Sequence, residues 1–297
     1  MGFKNQLENF THAKIYVDEP MNKHTALGVG GKALYFAEVD SLCGLNLLVS
    51  LAKEHRIKVK ILGNGTNVLV SEKGFDGLII SIKRLSDVFF KRDEVRAMAG
   101  APLDKLIRFA HDNGLTGLEA LSGIPATVGG AVVMNAGAFG HNISDCLTTV
   151  ETLVDGKIKV YDKTDCKFGY RTSRFLCKKE IIISACFSLT PEEKQVILSK
   201  EKSYKEVRNS IQPMGKSCGS VFKNPKPYTA GELIDRAGLK GFSIGCVTVS
   251  KKHGNFITTK PRATANDVYA LIQIVKDKIK SEFNVVLEEE VEFIGDF

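Results

Sequence analysis

Residues Gly63-Asn64-Gly65-Thr66-Asn67 follow one strand-like run and precede another. Glycines at 63 and 65 let backbone N–H groups converge on phosphate oxygens with no Cβ in the way, and the Thr and Asn side chains are short and polar. The pattern is not G-x-G-x-x-G and no helical periodicity follows it, which disfavours a Rossmann dinucleotide fold. Alone, such a loop is more often an ordinary tight turn. A second stretch shifts the balance. Ser122-Gly123-Ile124-Pro125-Ala126-Thr127-Val128-Gly129-Gly130 runs on to Asn135-Ala136-Gly137 through small residues without a charge. Small residues let backbone approach a large flat ligand; the competing reading is a tightly packed turn and strand. With Gly28-Val29-Gly30-Gly31, three such loops in one chain favour a nucleotide cofactor.

Helices and short strands must position these loops. Residues 41–55 carry Leu42, Leu45, Leu48, Val49 and Ala52 on one stripe, and residues 103–113 repeat this before Gly114. Thr264 and Asp267 read as a helix start, followed by Val268, Leu271, Ile272, Val275 and Ile279. A shorter helix is expected between Thr229, with Glu232 as its capping-box partner, and Gly238. Strand-like runs cover residues 58–62, 67–70, 78–82, 150–154, 158–161, 181–188 and 285–294. Strands in the middle with helices towards either end imply an α+β chain. The polar, basic stretch 191–212 marks a boundary, giving domains 1–195 and 196–297, the first splitting again near 84–100. That stretch also reads as a solvated helix.

With 297 residues the chain can bury a large core. Its apolar runs, such as 77–82 and 181–186, fall far short of the roughly 20 residues that cross a bilayer, and residues 1–10 lack the apolar run of a secretory signal. A cytoplasmic protein without membrane insertion is expected. The seven cysteines include no C-x-x-C pair and no ligand spacing with histidine, so neither a disulfide framework nor a structural metal is expected. The net charge of +7 is spread over the chain with no nucleic-acid motif, and suits an anionic small substrate.

The three glycine loops keep a family order with four downstream motifs: Gly169-Tyr170-Arg171-Thr172-Ser173-Arg174-Phe175, Gly219-Ser220-Val221-Phe222-Lys223-Asn224-Pro225, Ala230-Gly231-Glu232-Leu233-Ile234 with Gly238-Leu239-Lys240-Gly241, and Lys252-His253-Gly254-Asn255-Phe256-Ile257. From about residue 20 onward the chain resembles the UDP-N-acetylenolpyruvoylglucosamine reductases of peptidoglycan precursor synthesis. The short interval from Arg171 to Ser220 is similar to their type II form. The resemblance implies a two-subdomain FAD-binding domain of the PCMH/vanillyl-alcohol-oxidase type, followed by a C-terminal α+β substrate-binding domain. It also implies non-covalent FAD, NADPH as hydride donor, and UDP-N-acetylglucosamine enolpyruvate as substrate. A monomer that binds no nucleic acid is expected. Flavin contacts would come from Gly63, Asn64, Gly65, Thr66, Asn67, Ser122, Gly123, Ile124, Pro125, Thr127, Gly129, Gly130, Asn135, Ala136 and Gly137. The sequence departs at Ala126, where the family usually has glycine; a positive φ there would cost roughly 1 kcal/mol.

In the implied reaction, hydride from flavin N5 reaches C3 of the enol ether and charge appears at C2, α to a carboxylate. Such an enolate needs a cation and a proton donor. Arg171 fits the cation, since a guanidinium grips a carboxylate at two points and stays charged; Arg174 is the alternative, and a plain surface arginine is as good a reading from residues alone. The resemblance assigns the proton to Ser220. It assigns the third catalytic place to Glu290, which would bond the substrate carboxylate or Arg171; a solvated acidic edge explains Glu290 equally well. Lys216, Lys223, Asn224 and Lys240 are candidate contacts to the nucleotide-sugar diphosphate. Cys218 reads as a small buried thiol. The competing activities are an FAD-dependent sugar or alcohol oxidase, whose flavin is often tethered through histidine, and a nucleotide-binding regulator that would not need Arg171, Ser220 and Glu290 together. No flavin motif here contains a histidine, although His24 and His141 lie near.

Overall fold

The structure, a computed structural model, describes residues 2–176 and 180–297, so Cys177 lies outside the described residues. The chain forms two compact units. One comprises Met1–Tyr16, Tyr35–Asn64 and Gly77–Val207; the other comprises Val17–Leu34, Gly65–Asp76 and Arg208–Phe297. This differs from a division at 195/196, because residue 195 lies inside one continuous helix, Lys194–Ile211, and two early segments join the second unit. That helix is largely solvated and buries Ile197 and Glu201.

In the first unit, strand Val59–Leu62 runs parallel to Phe75–Ser81, with Val59 opposite Leu78. They belong to a four-stranded sheet with Ala13–Pro20 and Lys32–Val39; residues 17–20, 32–34 and 75–76 of these strands are assigned to the second unit. A five-stranded antiparallel sheet has the spatial order Lys157–Asp162, Leu147–Val154, Ile181–Phe187, Glu94–Met98, Val88–Lys91. Ile181–Phe187 is buried at every position, as a mostly apolar run interrupted only by Ser184 implies for a central strand covered on both faces. The helix Leu42–Glu54 starts where the Ser41 hydroxyl accepts the Gly44 N–H at 3.1 Å, and buries Leu45, Leu48 and Ala52. Leu103–Asp112 buries Leu103, Leu106, Ile107 and Ala110, the expected stripe.

Within the large sheet, Glu151 is buried and faces Arg96, Lys91 at 3.0 Å and the Ser184 hydroxyl at 3.1 Å. Burial alone pushes its carboxyl up; Lys91, Arg96 and Ser184 together hold it below its ordinary value. A lowered folded pKa stabilises the fold above the unfolded carboxylate's range, and that contribution is lost as pH falls through the folded value. The Tm gap between wild type and Glu151→Gln should therefore be open at pH 7 and close as pH drops below about 4; a gap constant from pH 7 to 3 would remove Glu151 as its source.

In the second unit, a four-stranded sheet has the order Lys216–Ser220, Phe256–Thr259, Val247–Val249, Ser243–Ile244. Thr229 caps Ala230–Arg236 and Thr264 caps Ala265–Phe283, as their sequences imply. The longer helix buries Val268, Leu271, Ile272, Val275 and Ile279, each worth roughly 1.5–3 kcal/mol as an upper estimate. Its partners include Leu27, Val29, Leu69, Leu233 and Leu287. The stretch 285–294 differs from the expected single strand: only Glu292–Ile294 is regular, pairing in parallel with Val68–Val70. Before it, Lys223 N–H donates to Glu288 O at 2.9 Å and Glu290 N–H to Val221 O at 2.8 Å. These bonds replace a long ladder while Leu287 and Val291 stay buried. No helix among the described residues is long and apolar enough to cross a membrane.

Candidate functional site

The two sequence-marked loops meet in the first unit. Strand Val59–Leu62 ends at Gly63 and Asn64, and the Asn64 amide donates to Pro125 O at 3.1 Å. A Cβ at Gly63 would stand 2.4 Å from Thr127 Oγ1, so only glycine permits this approach. Between Asn64 and Gly65 the chain passes into the second unit. There Gly65 has φ +64 and lies so close to His24 O that a Cβ would sit 2.0 Å from it. Thr66 is half-buried. Asn67 does something the sequence did not suggest: its amide donates to Glu290 O at 2.9 Å, and its own carbonyl accepts Glu292 N–H at 2.9 Å.

The second loop also contains a short helix, Val128–Val133, where a turn and strand was the competing reading. Thr127 Oγ1 caps it by accepting Gly130 N–H at 3.3 Å. Val128 and Gly129 N–H groups donate to Ala101 O and Ala99 O, both at 2.8 Å, and Ser122, Ile124 and Ala126 N–H groups also find protein acceptors. Gly129 is thus required by packing, since a Cβ there would meet Ala99 Cβ at 2.9 Å, and its N–H is already committed. The amides that keep no protein acceptor in the stretch 122–130 are those of Gly123 and Thr127, among the described residues. Gly123 has φ +80, a conformation that favours glycine; Ala126 is not left-handed, so its Cβ brings none of the strain considered above. Ser122 is fully buried and Pro125 is exposed.

Arg171 lies in the same unit, at the tip of a tight turn closed by Gly169 N–H to Thr172 O at 3.1 Å. Its φ is +52, a costly conformation for a long side chain. Three bonds tie this turn to the end of the second loop. Asn135, itself left-handed at φ +45, donates its amide to Gly169 O at 2.9 Å; Arg171 Nη2 donates to Gly137 O at 3.0 Å; and Ser173 Oγ donates to Val133 O at 2.7 Å. Ala136 N–H donates to Ala131 O and its carbonyl accepts Ile143 N–H, both at 2.8 Å. Arg174, the alternative cation, is turned inward onto Tyr161 and Glu180.

Ser220 and Glu290 both lie in the second unit, linked through the backbone of Val221. Ser220 ends strand Lys216–Ser220 after a register shift and Gly219, whose φ is +77. Immediately beyond it, Val221 O accepts Glu290 N–H, and Asn255 clamps the turn. Asn255 Oδ1 accepts Phe222 N–H at 2.9 Å and its amide donates to Phe222 O at 2.7 Å. The sequence marked Asn255 only as part of a motif. Cys218 is buried, and burial with the Glu290 carboxylate pushes its thiol up to about 12, which suits a packing residue and not a nucleophile. His253 is held below its ordinary value by burial and Lys240, so it stays neutral near pH 7, and its Nδ1 accepts Asn255 N–H at 3.2 Å.

The four proposed diphosphate contacts also lie in this unit. Lys223 meets Glu288 at 3.3 Å and Lys240 meets Asp235, both at the surface, where such pairs contribute little. Asn224 Oδ1 accepts Ala230 N–H at 3.0 Å, a structural use of its acceptor. The Lys216 ammonium lies 2.6 Å from where a Gly28 Cβ would stand.

Comparison with known proteins places both halves. Residues 33–160 match a family model described as FAD binding domain, and residues 212–294 match the C-terminal domain of UDP-N-acetylenolpyruvoylglucosamine reductase. UDP-N-acetylenolpyruvoylglucosamine reductase 1 of a Bacillus cereus strain is 39% identical over 295 residues, 98% of each chain. The reductase of Agathobacter rectalis is 41% identical over 309 residues, covering 99% of this chain and 98% of its own. A crystal structure of the reductase from Thermus caldophilus superposes with a TM-score of 0.82 at 35% identity, over 95% of this chain and 99% of that one. A BBE-like protein of Physcomitrella patens shares the fold alone, with a TM-score of 0.51 at 14% identity, over 64% of this chain and 45% of that one. The architecture is α+β, an FAD-binding domain followed by the C-terminal domain of these reductases. This chain belongs to the UDP-N-acetylenolpyruvoylglucosamine reductase family.

Proposed function

We propose that this chain reduces UDP-N-acetylglucosamine enolpyruvate to UDP-N-acetylmuramate, using FAD and NADPH, in the synthesis of peptidoglycan precursors. The observation that carries this reading is identity of 39% across 98% of the chain, extending over both the FAD-binding and the reductase-specific parts. The part of the chain before the helix Lys194–Ile211 is assigned to FAD and the part after it to the UDP-sugar. We take the protein to act as a cytoplasmic monomer.

The first unit fits a flavin nucleotide: a side chain at Gly63 would collide with Thr127, Gly123 has a left-handed backbone that favours glycine, and the uncommitted amides of Gly123 and Thr127 suit a phosphate. Gly63, Asn64, Gly123, Thr127 and the segment Asn135-Ala136-Gly137 are the residues we assign to holding it. FAD, when bound, would relay reducing equivalents from NADPH to the enol ether. Arg171 then binds the substrate carboxylate and balances the charge that develops beside it. Ser220 donates a proton to C2, and Glu290 hydrogen-bonds the carboxylate end. Lys216, Lys223, Asn224 and Lys240 contribute to diphosphate recognition, with Lys223 and Lys240 exchanging acidic partners for the ligand.

The test is anaerobic: the purified protein should be yellow, bleach with NADPH, and recover its colour on adding UDP-N-acetylglucosamine enolpyruvate. Failure of that substrate to restore the colour would refute the reading. Its flavin is expected to be non-covalent, because the loops offer backbone amides and small residues and no nucleophile. After acid or heat denaturation the flavin should remain in the supernatant; colour retained in the precipitate would favour a tethered oxidase cofactor.

A further inference from the structure

The turn that carries Arg171 is a strained tip, and its geometry depends on what fixes the chain on either side. Asn135 holds the entry through Gly169 O. The exit is held by Arg174, three residues after Arg171. Its guanidinium carbon lies 4.0 Å from the Tyr161 ring centroid, Nη1 donates to Asp165 O at 3.1 Å, and Nη2 donates to Glu180 at 3.3 Å. Its backbone N–H donates to Cys166 O at 2.9 Å. The Tyr161 hydroxyl donates to the same Glu180 oxygen at 2.7 Å, and Phe175 packs edge-on against Tyr161 at 5.9 Å. Tyr161 is buried, and the side chains of Arg174 and Glu180 are only 18% and 12% exposed, so this is a desolvated cation held by three partners.

We propose that Arg174, with Tyr161 and Glu180, is the positioning residue for Arg171: it fixes the exit of the turn so that the Arg171 guanidinium is presented in one orientation to a carboxylate. This rests on the assignment of Arg171 to the substrate carboxylate. Both Nη atoms of Arg174 are engaged within the fold, by Asp165 O in the turn Lys163–Cys166 and by Glu180, and its guanidinium stacks on Tyr161 of the strand Lys157–Asp162, which gives it a positioning role and not a substrate contact. A two-point grip tolerates little displacement; misplacement by about 1 Å costs up to about 100-fold.

The experiment is a double-mutant cycle on the holoenzyme, reading three quantities: the Kd of UDP-N-acetylglucosamine enolpyruvate for the oxidised protein by calorimetry, the rate of flavin reduction by NADPH, and the rate of flavin reoxidation by that substrate. Arg174→Met should weaken substrate binding and slow reoxidation about 10- to 100-fold while NADPH reduction stays within about 3-fold. Arg174→Lys, which keeps a cation beside Glu180, should recover part of the loss. In an Arg171→Ala background the same Arg174→Met change should have no further effect on Kd or reoxidation, because both act through one group. An equal factor in both backgrounds, or equal damage to both half-reactions, would reduce Arg174 to a general structural role and overturn the proposal. If Arg174→Met does not fold, as read by its thermal transition, Tyr161→Phe removes one bond from the cluster and must show the same background dependence on a smaller scale. If Arg171→Ala alone leaves binding and reoxidation normal, the assignment of Arg171 fails; if it damages them and Arg174→Met does not, only the positioning role fails.

Discussion

Ser220→Ala is expected to slow substrate-dependent reoxidation of the flavin by about 10²–10⁴, the usual contribution of a positioned general acid, while NADPH-dependent bleaching stays within a few-fold of normal. The asymmetry arises because charge on a substrate carbon builds only in the second half-reaction. The structure gives the serine the fixed setting this requires. Gly219 turns the strand end, Val221 O accepts Glu290 N–H, and Asn255 bonds both backbone groups of Phe222, so the residues after Ser220 have no slack. Ser220→Cys should restore part of the rate, since a thiol donates a proton from nearly the same place. Stopped-flow absorbance separates the two steps. Slowed bleaching with intact reoxidation would assign the serine to nicotinamide binding and end this mechanism.

Arg171→Lys should lower turnover by about 10²–10³, the cost of losing a preorganised charge-stabilising donor, although the net charge is unchanged. Lysine is a point charge on a flexible stem and cannot reproduce a planar two-point grip. It also loses the geometry by which Nη2 reaches Gly137 O. The backbone tolerates the exchange equally, because arginine and lysine have similar costs at φ +52. Steady-state kinetics decide it: near-normal turnover would remove Arg171 from the chemistry.

What could be read in the sequence was local. Thr229 and Thr264 announce two helices because a cap is a contact between neighbours in the chain, and the stripe of Leu42, Leu45, Leu48, Val49 and Ala52 announces a third. Ile181–Phe187 is visible because burial on both faces leaves a run that is apolar except for Ser184. The helix Val128–Val133 was not legible: Val-Gly-Gly-Ala-Val-Val has poor helical propensity, and it forms because Thr127 caps it and Gly129 packs against Ala99. Strand Ala13–Pro20 has only exposed and half-buried positions, and Lys32–Val39 is buried over Tyr35–Ala37 without a clean alternation. The backbone bond between Glu290 and Val221, the residue after Ser220, spans some 70 residues and had no local signature; the roles of Ser220 and Glu290 came from the resemblance alone. Asn67, taken for a flavin contact, bonds the backbone of Glu290 and Glu292, a role that no spacing reveals.

The second unit has a history in time as well as in space. Its strand Val68–Val70 pairs with Glu292–Ile294, and Glu72 accepts the N–H of Ala265 at 2.7 Å. During translation at about 5–20 residues per second, the early strand leaves the ribosome roughly 10–45 s before its partner. For that interval Leu27, Val29 and Leu69 have no core to enter. Until the last segment arrives these apolar side chains stay exposed to wrong partners, and an isolated fragment such as 212–294 would lack the edge on which it closes.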